Sequence, residues 1–566
     1  MLTFDLATTP FSRRGTWLSL SQPHYAGSGY PAEGQGIYLR SNCGRPNLRR
    51  ELVKIEILRH DRVIEQIKTV AQPDGVTIRP RRGQGCVELT LCAPGTLLVS
   101  AKGALTVRLR RRAQAGEVAH PLGSGLQVIN CRQSLMRLAI ECLQGEQHLH
   151  ADWAPDTCHG DMMVTLKPDQ KGHLEAALDS WQSTHHRGPR PSMAAARKAL
   201  AKEFEAFRAA LPRHRQASAC ELADYVLFSC TVPPRGLLKR EAVLMSRNWM
   251  DSVWSWDNCF NAMALAPGHP KLAFDQLMLE ADLQDADGAY PDAANDSFIH
   301  YNFSKPPVQG ITYRWIQRIA PKFWTRSRTA AFYESVSRFT NWWLKHRRWP
   351  GSPLCHYLHG NDSGWDNSSV FDIGAPLEGA DLAAFLCEQM RALADMAKRL
   401  GKTGEAARWI KQADSMQRQL CRLLWDGRRF RSRLAVNQQP VDSQSLIPAM
   451  AIVLGKALDP TIATAVIEDL RSFVTPWGIA TEHPESERYE SDGYWRGPIW
   501  APSTFLIVYG LLNQGEELLA KRIARGFCKA CEKSGFAENF DALTGAGLRD
   551  RAYTWTASVY RTLLLK

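Results

Sequence analysis

Residues 376–400, PLEGADLAAFLCEQMRALADMAKRL, hold the most regular helical pattern in the chain. Apolar side chains recur there at spacings of three and four, which places them on one face of a helix; they are Leu382, Leu386, Met390, Leu393, Ala397 and Leu400. Gly401 follows directly and suits the left-handed position that ends many helices. A long helix with a single apolar stripe predicts packing against further helices.

Segments with a similar pattern fill the chain from about residue 217 onward. The other predicted helices lie near 218–232, 257–266, 270–284, 308–320, 328–346, 404–425, 443–455, 460–473, 501–513, 515–534 and 555–565. Polar loops join them. Paired helices of this length fit a toroid of two concentric helix rings, so we predict one all-α domain over residues 217–566.

Residues 1–185 follow a different pattern, in which apolar and polar residues alternate over short runs. Gly and Pro turn signals separate these runs at a spacing typical of β-sandwiches. We therefore predict an N-terminal antiparallel β-sandwich over 1–185. Residues 186–216 contain a charged, Ala-rich segment, which predicts a linker helix before the helical domain.

The composition indicates a globular chain of several domains, with 566 residues of which 44% are apolar and 22% charged. The net charge of +13 raises the question of nucleic acid, but the basic residues are dispersed. The densest basic cluster, residues 108–112, has no interleaved aromatic side chain, so we predict no nucleic-acid partner. No apolar run approaches the roughly 18 residues of a membrane span, and the first residues lack a secretory pattern. We expect a cytoplasmic protein without a membrane partner.

Cysteine and acidic clusters give no metal site. The 14 cysteines are scattered, as is typical of a reduced protein, and Cys528-x-x-Cys531 has no second pair. Those two cysteines are more typical of two positions on one helix. Asp285-x-Asp287-Gly288 lacks the spacing of a calcium loop and is more typical of a turn. We therefore predict no cofactor and place no metal ligand.

The stretch Gly360-Asn361-Asp362-Ser363-Gly364-Trp365-Asp366-Asn367-Ser368-Ser369 is the most informative loop. It combines carboxylates, amides, hydroxyls and one indole without any aliphatic residue. A capped turn before the next helix would account for some of these residues. A sugar-binding loop accounts for more, because carboxylates and amides bind hydroxyls and a flat indole packs against a pyranose ring. Fifteen of the 18 tryptophans lie between 249 and 555, several of them in polar loops, which favours a pocket in the helical half.

Hydrolysis of a glycoside needs two carboxyl groups, one protonated and one ionised, on either side of the anomeric carbon. The candidates are Asp362, Asp366 and Glu538. In an inverting enzyme the carboxyls stand roughly 6.5–9.5 Å apart, and in a retaining enzyme about 5–5.5 Å apart. The sequence alone leaves both geometries open. It contains no Gly-x-Ser-x-Gly, phosphate-loop or His-Glu-x-x-His motif that would predict another chemistry.

The loop 360–369, the stretch Tyr494-Trp495-Arg496-Gly497-Pro498-Ile499-Trp500 and Glu538-Asn539-Phe540 with Trp555-Thr556 resemble three ordered motifs of glycoside hydrolase family 63 and the related trehalases. Trp254-Ser255-Trp256-Asp257 and Lys305-Pro306-Pro307-Val308-Gln309 resemble the early site loops of that family. The resemblance covers about residues 217–566. It implies an (α/α)6 barrel, a β-sandwich before it, and inversion of configuration.

The resemblance also implies roles for individual residues. Asp366 would be the general acid and Glu538 the general base. The predicted substrate-binding residues are Trp256, Asp257, Gln309, Asp362, Gly364, Trp365, Trp495, Arg496, Gly497 and Trp555. Some family members bind a structural calcium ion, which is not placed on residues here.

The resulting hypothesis is an inverting α-glucosidase acting on a short oligosaccharide or glucoside. Hydrolysis of glucosylglycerate or mannosylglycerate is an alternative, since the excess of basic residues suits an acidic substrate. A phosphorylase is disfavoured by Glu538, and a non-catalytic sugar-binding protein is the alternative outside enzymes. Oligomeric state and any part of the β-sandwich in the pocket stay open. Trp17 and the Arg13-Arg14 pair are the candidates for such a contact.

Overall fold

The fold was analysed in a computed structural model. It describes residues 2–23, 34–45, 48–123, 125–152, 160–214 and 217–564. The first fifteen strands are β1 (Leu18–Ser21), β2 (Ile37–Ser41), β3 (Glu51–Arg59), β4 (Arg62–Val63), β5 (Ile67–Gln72), β6 (Gly75–Pro80), β7 (Cys86–Ala93), β8 (Thr96–Lys102), β9 (Thr106–Arg112), β10 (Val118–Pro121), β11 (Leu126–Cys131), β12 (Met136–Gln144), β13 (Glu146–Ala151), β14 (Asp161–Lys167) and β15 (His173–Trp181).

These strands form two sheets in which neighbouring strands are antiparallel. One sheet has the order β1-β2-β3-β9-β14-β13, with β4 beside β3, and the other has the order β10-β11-β12-β15-β8-β7-β6-β5. Val107 and Leu109 on β9 and Leu138 on β12 are fully buried in the core between alternating polar positions. The predicted antiparallel β architecture of the N-terminal part is therefore confirmed.

The helical part begins after these sheets. Its helices are α1 (Met193–Ala210), α2 (Ala217–Cys230), α3 (Asp257–Leu265), α4 (Pro270–Asp282), α5 (Gln309–Ile319), α6 (Arg326–His346), α7 (Gly360–Ser363), α8 (Ala380–Leu400), α9 (Thr403–Leu424), α10 (Pro460–Ser472), α11 (Ala501–Gln514), α12 (Glu517–Ser534) and α13 (Thr554–Leu563). The 3₁₀ segments are Arg132–Ser134, Ser369–Phe371 and Ile447–Ala457.

Short strand pairs lie in the loops of the helical part. They are β16 (Thr231–Val232) with β17 (Ala242–Val243); β18 (Val253–Trp254), β19 (Ala293–Ala294) and β20 (Ile299–His300); β21 (Leu377–Glu378) with β22 (Arg433–Leu434); β23 (Val474–Thr475) with β24 (Gly478–Ile479); and β25 (Ile499–Trp500), β26 (Asn539–Phe540) and β27 (Gly547–Leu548).

The long helices pack in a closed order. α3 packs against α5, α5 against α8, α8 against the segment Ile447–Ala457, that segment against α11, α11 against α13, and α13 against α3 again. Further helices pack on five of the six members of this cycle: α2 on α13, α4 on α3, α6 and α9 on α8, α10 on Ile447–Ala457, and α12 on α11.

Two predicted helices differ from the structure. The helix predicted over 443–455 is the 3₁₀ segment Ile447–Ala457, in which Gly455 interrupts the helical path with a left-handed φ of 52°. The helix predicted over 376–400 begins at Ala380, because Leu377 and Glu378 pair with β22 instead.

The β part and the helical part are in contact. α1, predicted as a linker helix, packs on β7, and its Arg197 pairs with Asp74 at 3.0 Å. Arg14 pairs with Glu241 at 3.0 Å, Arg13 pairs with Glu203 at 2.8 Å, and Trp17 is buried in an apolar cluster that also contains Val232. These three N-terminal side chains therefore hold the interface between the two parts.

The described residues contain no helix long and apolar enough to cross a membrane. The thirteen cysteines that the structure describes are free of disulfides, and Cys528 and Cys531 lie buried on α12, which confirms their prediction as helix positions.

Candidate active site

The loop that holds Asp366 is built around the single helical turn α7. The His359 side chain accepts a hydrogen bond from the Asn361 amide and caps this turn. Gly364 ends it with a left-handed φ of 72°, and a Cβ there would lie 2.4 Å from a ring carbon of Trp256. Only glycine fits both the conformation and the space. The chain can then present Trp365 and Asp366 side by side.

The carboxyl group of Asp366 lies in a largely buried, mixed-charge environment. Burial raises its pKa above the usual aspartate value, and the Asp292 carboxylate adds to the rise. The Lys305 ammonium and the Tyr494 hydroxyl act in the opposite direction. An aspartic acid with a raised pKa can retain its proton closer to neutral pH, which a general acid requires.

Glu538 stands directly before β26, beside the end of β27. Its amide donates to the Asp550 carbonyl at 2.7 Å, and its own carbonyl accepts from the Trp555 indole at 3.4 Å. Burial raises the pKa of the Glu538 carboxyl to about 8, with further increases from the charges of Asp550 and Asp366, while Arg549 opposes the shift. Trp555, which bonds the Glu538 carbonyl, and Trp365, next to Asp366 in the chain, are linked through Trp495 and Trp500, so the loops of the two predicted catalytic carboxyls lie together.

Five tryptophans form a continuous cluster beside these carboxyls. Trp495 and Trp500 stack face to face, with ring centres 4.0 Å apart and planes within 4°. Trp365 lies 4.8 Å from Trp495, and Trp555 meets both Trp500 and Trp256 edge to face at 5.5 and 5.9 Å. All five side chains are buried against one another. The cluster fixes the loops at 256, 365, 495 and 555 in mutual contact.

Asp257 and Gln309 offer unused polar atoms in the same region. Asp257 begins α3, and burial raises its pKa to about 8 against the opposing charge of Lys305. Gln309 begins α5 and donates to the Ser255 carbonyl at 3.3 Å. Within the described part of the chain, one oxygen of each side chain has no hydrogen-bond partner. Buried polar atoms normally have partners, so these two oxygens are suited to a ligand or to water.

Asp362, predicted as a substrate-binding residue, has protein hydrogen-bond donors on both carboxylate oxygens. Its side chain is fully buried, and one oxygen accepts from the Ser304 amide at 2.8 Å. The other accepts from the Leu358 amide at 2.7 Å and pairs with Arg347 at 2.9 Å. Protein donors thus occupy both oxygens. Asp362 anchors the loop, and direct contact with a substrate is not proposed for it.

Arg496 and Gly497 also have structural partners. The Arg496 guanidinium donates to the Asn367 carbonyl at 2.7 Å and pairs with Asp372. Gly497 has a φ of 138°, and its amide donates to the Thr481 hydroxyl at 3.2 Å. Arg496 joins the 494–500 loop to the Asp366 loop, and Gly497 joins it to Thr481. The predicted contact of both residues with substrate stays a prediction.

The region that contains these loops matches a known protein family. A model of the mannosylglycerate hydrolase MGH1-like glycoside hydrolase domain matches residues 250–556. The chain belongs to this family. The match confirms the predicted resemblance to glycoside hydrolase family 63, and it spans all the loops that form the carboxyl and tryptophan cluster.

Curated relatives match this chain over only part of their length. The mannosylglycerate hydrolase of Rubrobacter radiotolerans is 28% identical over 193 residues, which are 32% of this chain and 42% of that protein. Mannosylglycerate hydrolase MGH1 of Selaginella moellendorffii is 31% identical over 106 residues, 18% of this chain and 22% of that protein. The chain thus aligns with less than half the length of these relatives.

Solved structures share the fold of this chain. The GH63 mannosylglycerate hydrolase from Thermus thermophilus in complex with glucose has a TM-score of 0.53 at 20% identity, covering 61% of this chain and 99% of that one. A bacterial glucoamylase complexed with acarbose has a TM-score of 0.63 at 12% identity, covering 100% of this chain and 94% of that one.

Sequence reasoning missed several groups in this site. Lys305 pairs with Asp292 at 2.6 Å and donates to the Asn361 carbonyl at 2.7 Å, so it joins two site loops. Tyr494 takes a left-handed φ of 62°, a strained conformation for a non-glycine residue. Both residues lie in loops that the sequence singled out, but their role depends on partners far away in the chain. The described residues hold no group of three side chains arranged for a metal ion.

Proposed function

We propose that the protein is a glycoside hydrolase in which Asp366 is the general acid and Glu538 the general base. The observation that carries this proposal is that one tryptophan cluster joins the loops of these two carboxyls, from Trp365 beside Asp366 to Trp555, which bonds the Glu538 carbonyl, within the region that the family model matches. We further propose that the closed helix cycle is an (α/α)6 barrel over 217–566, preceded by a β-sandwich over 1–185 and a linker helix over 186–216. The loops of the carboxyl cluster would then share one end of the barrel.

The proposed reaction uses the two carboxyls in opposite protonation states. Asp366 donates its proton to the leaving glycosidic oxygen while ionised Glu538 removes a proton from the attacking water. The water enters from the face opposite the leaving group, so the product has inverted configuration. The reactive form has Glu538 ionised and Asp366 protonated, although burial raises the pKa of both carboxyls, so the rate falls on both sides of the pH at which this form is most populated. Asp257 and Gln309 have free oxygens for sugar hydroxyls.

A carboxylate-bearing leaving group is the substrate feature that the site favours. The Arg549 guanidinium lies 4.9 Å over the Tyr494 ring and is close enough to lower the pKa of Glu538. Its ion-pair partner Asp492 is about two-thirds exposed, so water weakens that pair. Arg549 can therefore exchange Asp492 for a substrate carboxylate. We propose a hexose linked to glycerate as the substrate, in agreement with the names of the relatives, and neutral α-glucosides as the second candidate.

The test is hydrolysis of mannosylglycerate, glucosylglycerate, trehalose and a panel of glucobioses by the purified protein, followed by NMR of the released sugar. We expect release from a glycerate-linked sugar with initial formation of the β-anomer from an α-linkage. Initial α-anomer would refute inversion, and phosphate-dependent release would indicate a phosphorylase. Asp366→Asn and Glu538→Gln should each lower kcat by about 10²- to 10⁴-fold. Full activity in either variant would refute the assigned roles, and sugar binding without release would support the non-catalytic alternative.

A further inference from the structure

Three side chains of the β part hold one loop of the helical part, residues 246–251, which we call the bridging loop. Arg40 on β2 donates to the carbonyls of Arg247 and Asn248 at 3.0 and 2.7 Å. Asn42, just after β2, donates to the Arg247 carbonyl at 3.0 Å. These residues are buried, so water cannot replace the bonds. The backbone of the bridging loop is therefore fixed from the β part.

An ion pair secures the end of the same loop. Arg50, directly before β3, pairs with Asp251 through two contacts of 2.8 Å, one to each carboxylate oxygen. In the reverse direction, Arg247 donates to the Thr16 carbonyl at 2.8 Å. A buried two-point pair of this kind fixes direction as well as distance. The β part thus sets the position of both ends of the bridging loop.

The bridging loop contacts the proposed base through two further bonds. The Asn248 side chain donates to the Asp550 carboxylate at 2.8 Å, and the Asp550 carbonyl accepts from the Glu538 amide at 2.7 Å. Asp550 is itself buried. Three hydrogen bonds in series therefore connect Arg40, on a strand of the β part, with the backbone of Glu538.

Part of this chain has no counterpart in one of the similar solved structures. The Thermus thermophilus structure is matched over 99% of its length by only 61% of this chain, so a large share of this chain has no counterpart there. We propose that the β part is a positioning element for the general base, in which Arg40, Asn42 and Arg50 act through Asn248 and Asp550 on Glu538. This inference rests on the proposed function. None of these five side chains is placed in contact with substrate.

A small displacement of a general base lowers the reaction rate strongly, because the base must lie at hydrogen-bonding distance from the water whose proton it removes. A displacement of about 1 Å can lower the rate about 10²-fold. Asp550 also acts through its charge, which adds to the burial that raises the pKa of Glu538. Arg549 and Asp366 also influence the pKa of Glu538, and the charge of Glu538 in turn raises the pKa of the Tyr494 and Tyr553 hydroxyls. The hydrogen bond from Asn248 lowers the pKa of Asp550 and so favours its charged form. Loss of this bond therefore disturbs both the position of Glu538 and the charge that raises the pKa of Glu538.

The test compares Arg40→Met and Asn248→Ala with a matched control, Arg14→Met. The control removes another ion pair between the β part and the helical part, Arg14 with Glu241, which lies outside the bridging loop. We expect both loop variants to lower kcat on the order of 10- to 100-fold with little change in KM. The control should keep kcat, and it should lose less thermal stability than Arg40→Met, because Arg14 and Glu241 are partly exposed whereas Arg40 and its ion-pair partner Glu51 are buried. Arg40→Lys restores one donor and should give an intermediate kcat.

A second measurement decides the inference independently of activity. Titration of ¹³C-labelled glutamate carboxyls, with Glu538→Gln used to identify the Glu538 signal, should show a lower pKa for Glu538 in Asn248→Ala than in the wild type. Equal kcat losses in Arg14→Met and Arg40→Met, or an unchanged Glu538 titration in Asn248→Ala, would overturn the inference. A wild-type protein that hydrolyses no substrate in the panel would overturn the proposed function instead, and the titration would still decide whether Asn248 acts on Glu538.

Discussion

Replacement of Asp362 by asparagine distinguishes a loop anchor from a substrate ligand. One oxygen of the wild-type carboxylate accepts a hydrogen bond from the Ser304 amide. The other oxygen accepts from the Leu358 amide and pairs with Arg347. Asparagine has one acceptor oxygen, so its NH₂ group must face a donor on one side. The Arg347 charge, which is about nine-tenths buried, then lacks its counter-charge. Leaving one partner of a buried pair uncompensated costs about 3–5 kcal/mol.

The assay is thermal unfolding together with steady-state kinetics. For a helical part of roughly 350 residues, about 4 kcal/mol corresponds to a fall of about 5 °C in the unfolding midpoint. Asp366→Asn is the matched control in the same loop and should keep the wild-type midpoint while losing kcat. If Asp362→Asn unfolds like the wild type but raises KM, the carboxylate contacts the sugar and its assignment as an anchor is wrong.

Three further predictions concern the same site. The pKa of Glu538 is raised from 4.5 to about 8 in the folded state, so ionisation of this buried carboxyl destabilises the protein as pH rises between these values. At pH 9, Glu538→Gln should therefore have a higher unfolding midpoint than the wild type and be more stable by at most about 5 kcal/mol, whereas at pH 4 the two should differ little. Asp550→Asn removes a charge that raises the pKa of Glu538. In the pH profile of kcat/KM, the change in rate assigned to Glu538 should therefore move to lower pH. An unchanged profile would contradict this coupling. Gly364→Ala should lower both kcat and the unfolding midpoint because its Cβ would overlap Trp256, whereas Gly404→Ala on α9, where a Cβ meets nothing within 4 Å, should leave kcat unchanged.

The general architecture could be predicted because it depends on local patterns. The alternation of the first 185 residues and the apolar stripe of α8 are repeated along the chain, and each repeat independently indicates the same element. Helix boundaries were less predictable. Leu377 and Glu378 are residue types that helices accept readily, but they pair with β22, which lies more than fifty residues later.

The candidate site could be predicted as a set of loops but not as a set of contacts. The residue types around Asp366 and Glu538 are distinctive, and the structure brings these loops together. The difference between Asp362 and Asp366 depends on Arg347, Ser304 and Leu358, none of which the loop sequence specifies. The position of Glu538 depends on a hydrogen bond from Asn248 to Asp550. These two residues are 302 positions apart in the sequence, so residue spacing could not predict their contact.

The closed order of the helices has a consequence for how the chain folds. The seam between the first and last members of the cycle is joined by Asn261 on α3, which bonds Thr554 and Ser558 on α13 across 293 and 297 positions. Contacts of such sequence separation form late, because the entropy of closing the intervening loop is lost before the contact contributes. We therefore expect the β sheets and local helix pairs to form first, and the two proposed catalytic carboxyls to meet only when α13 closes the ring.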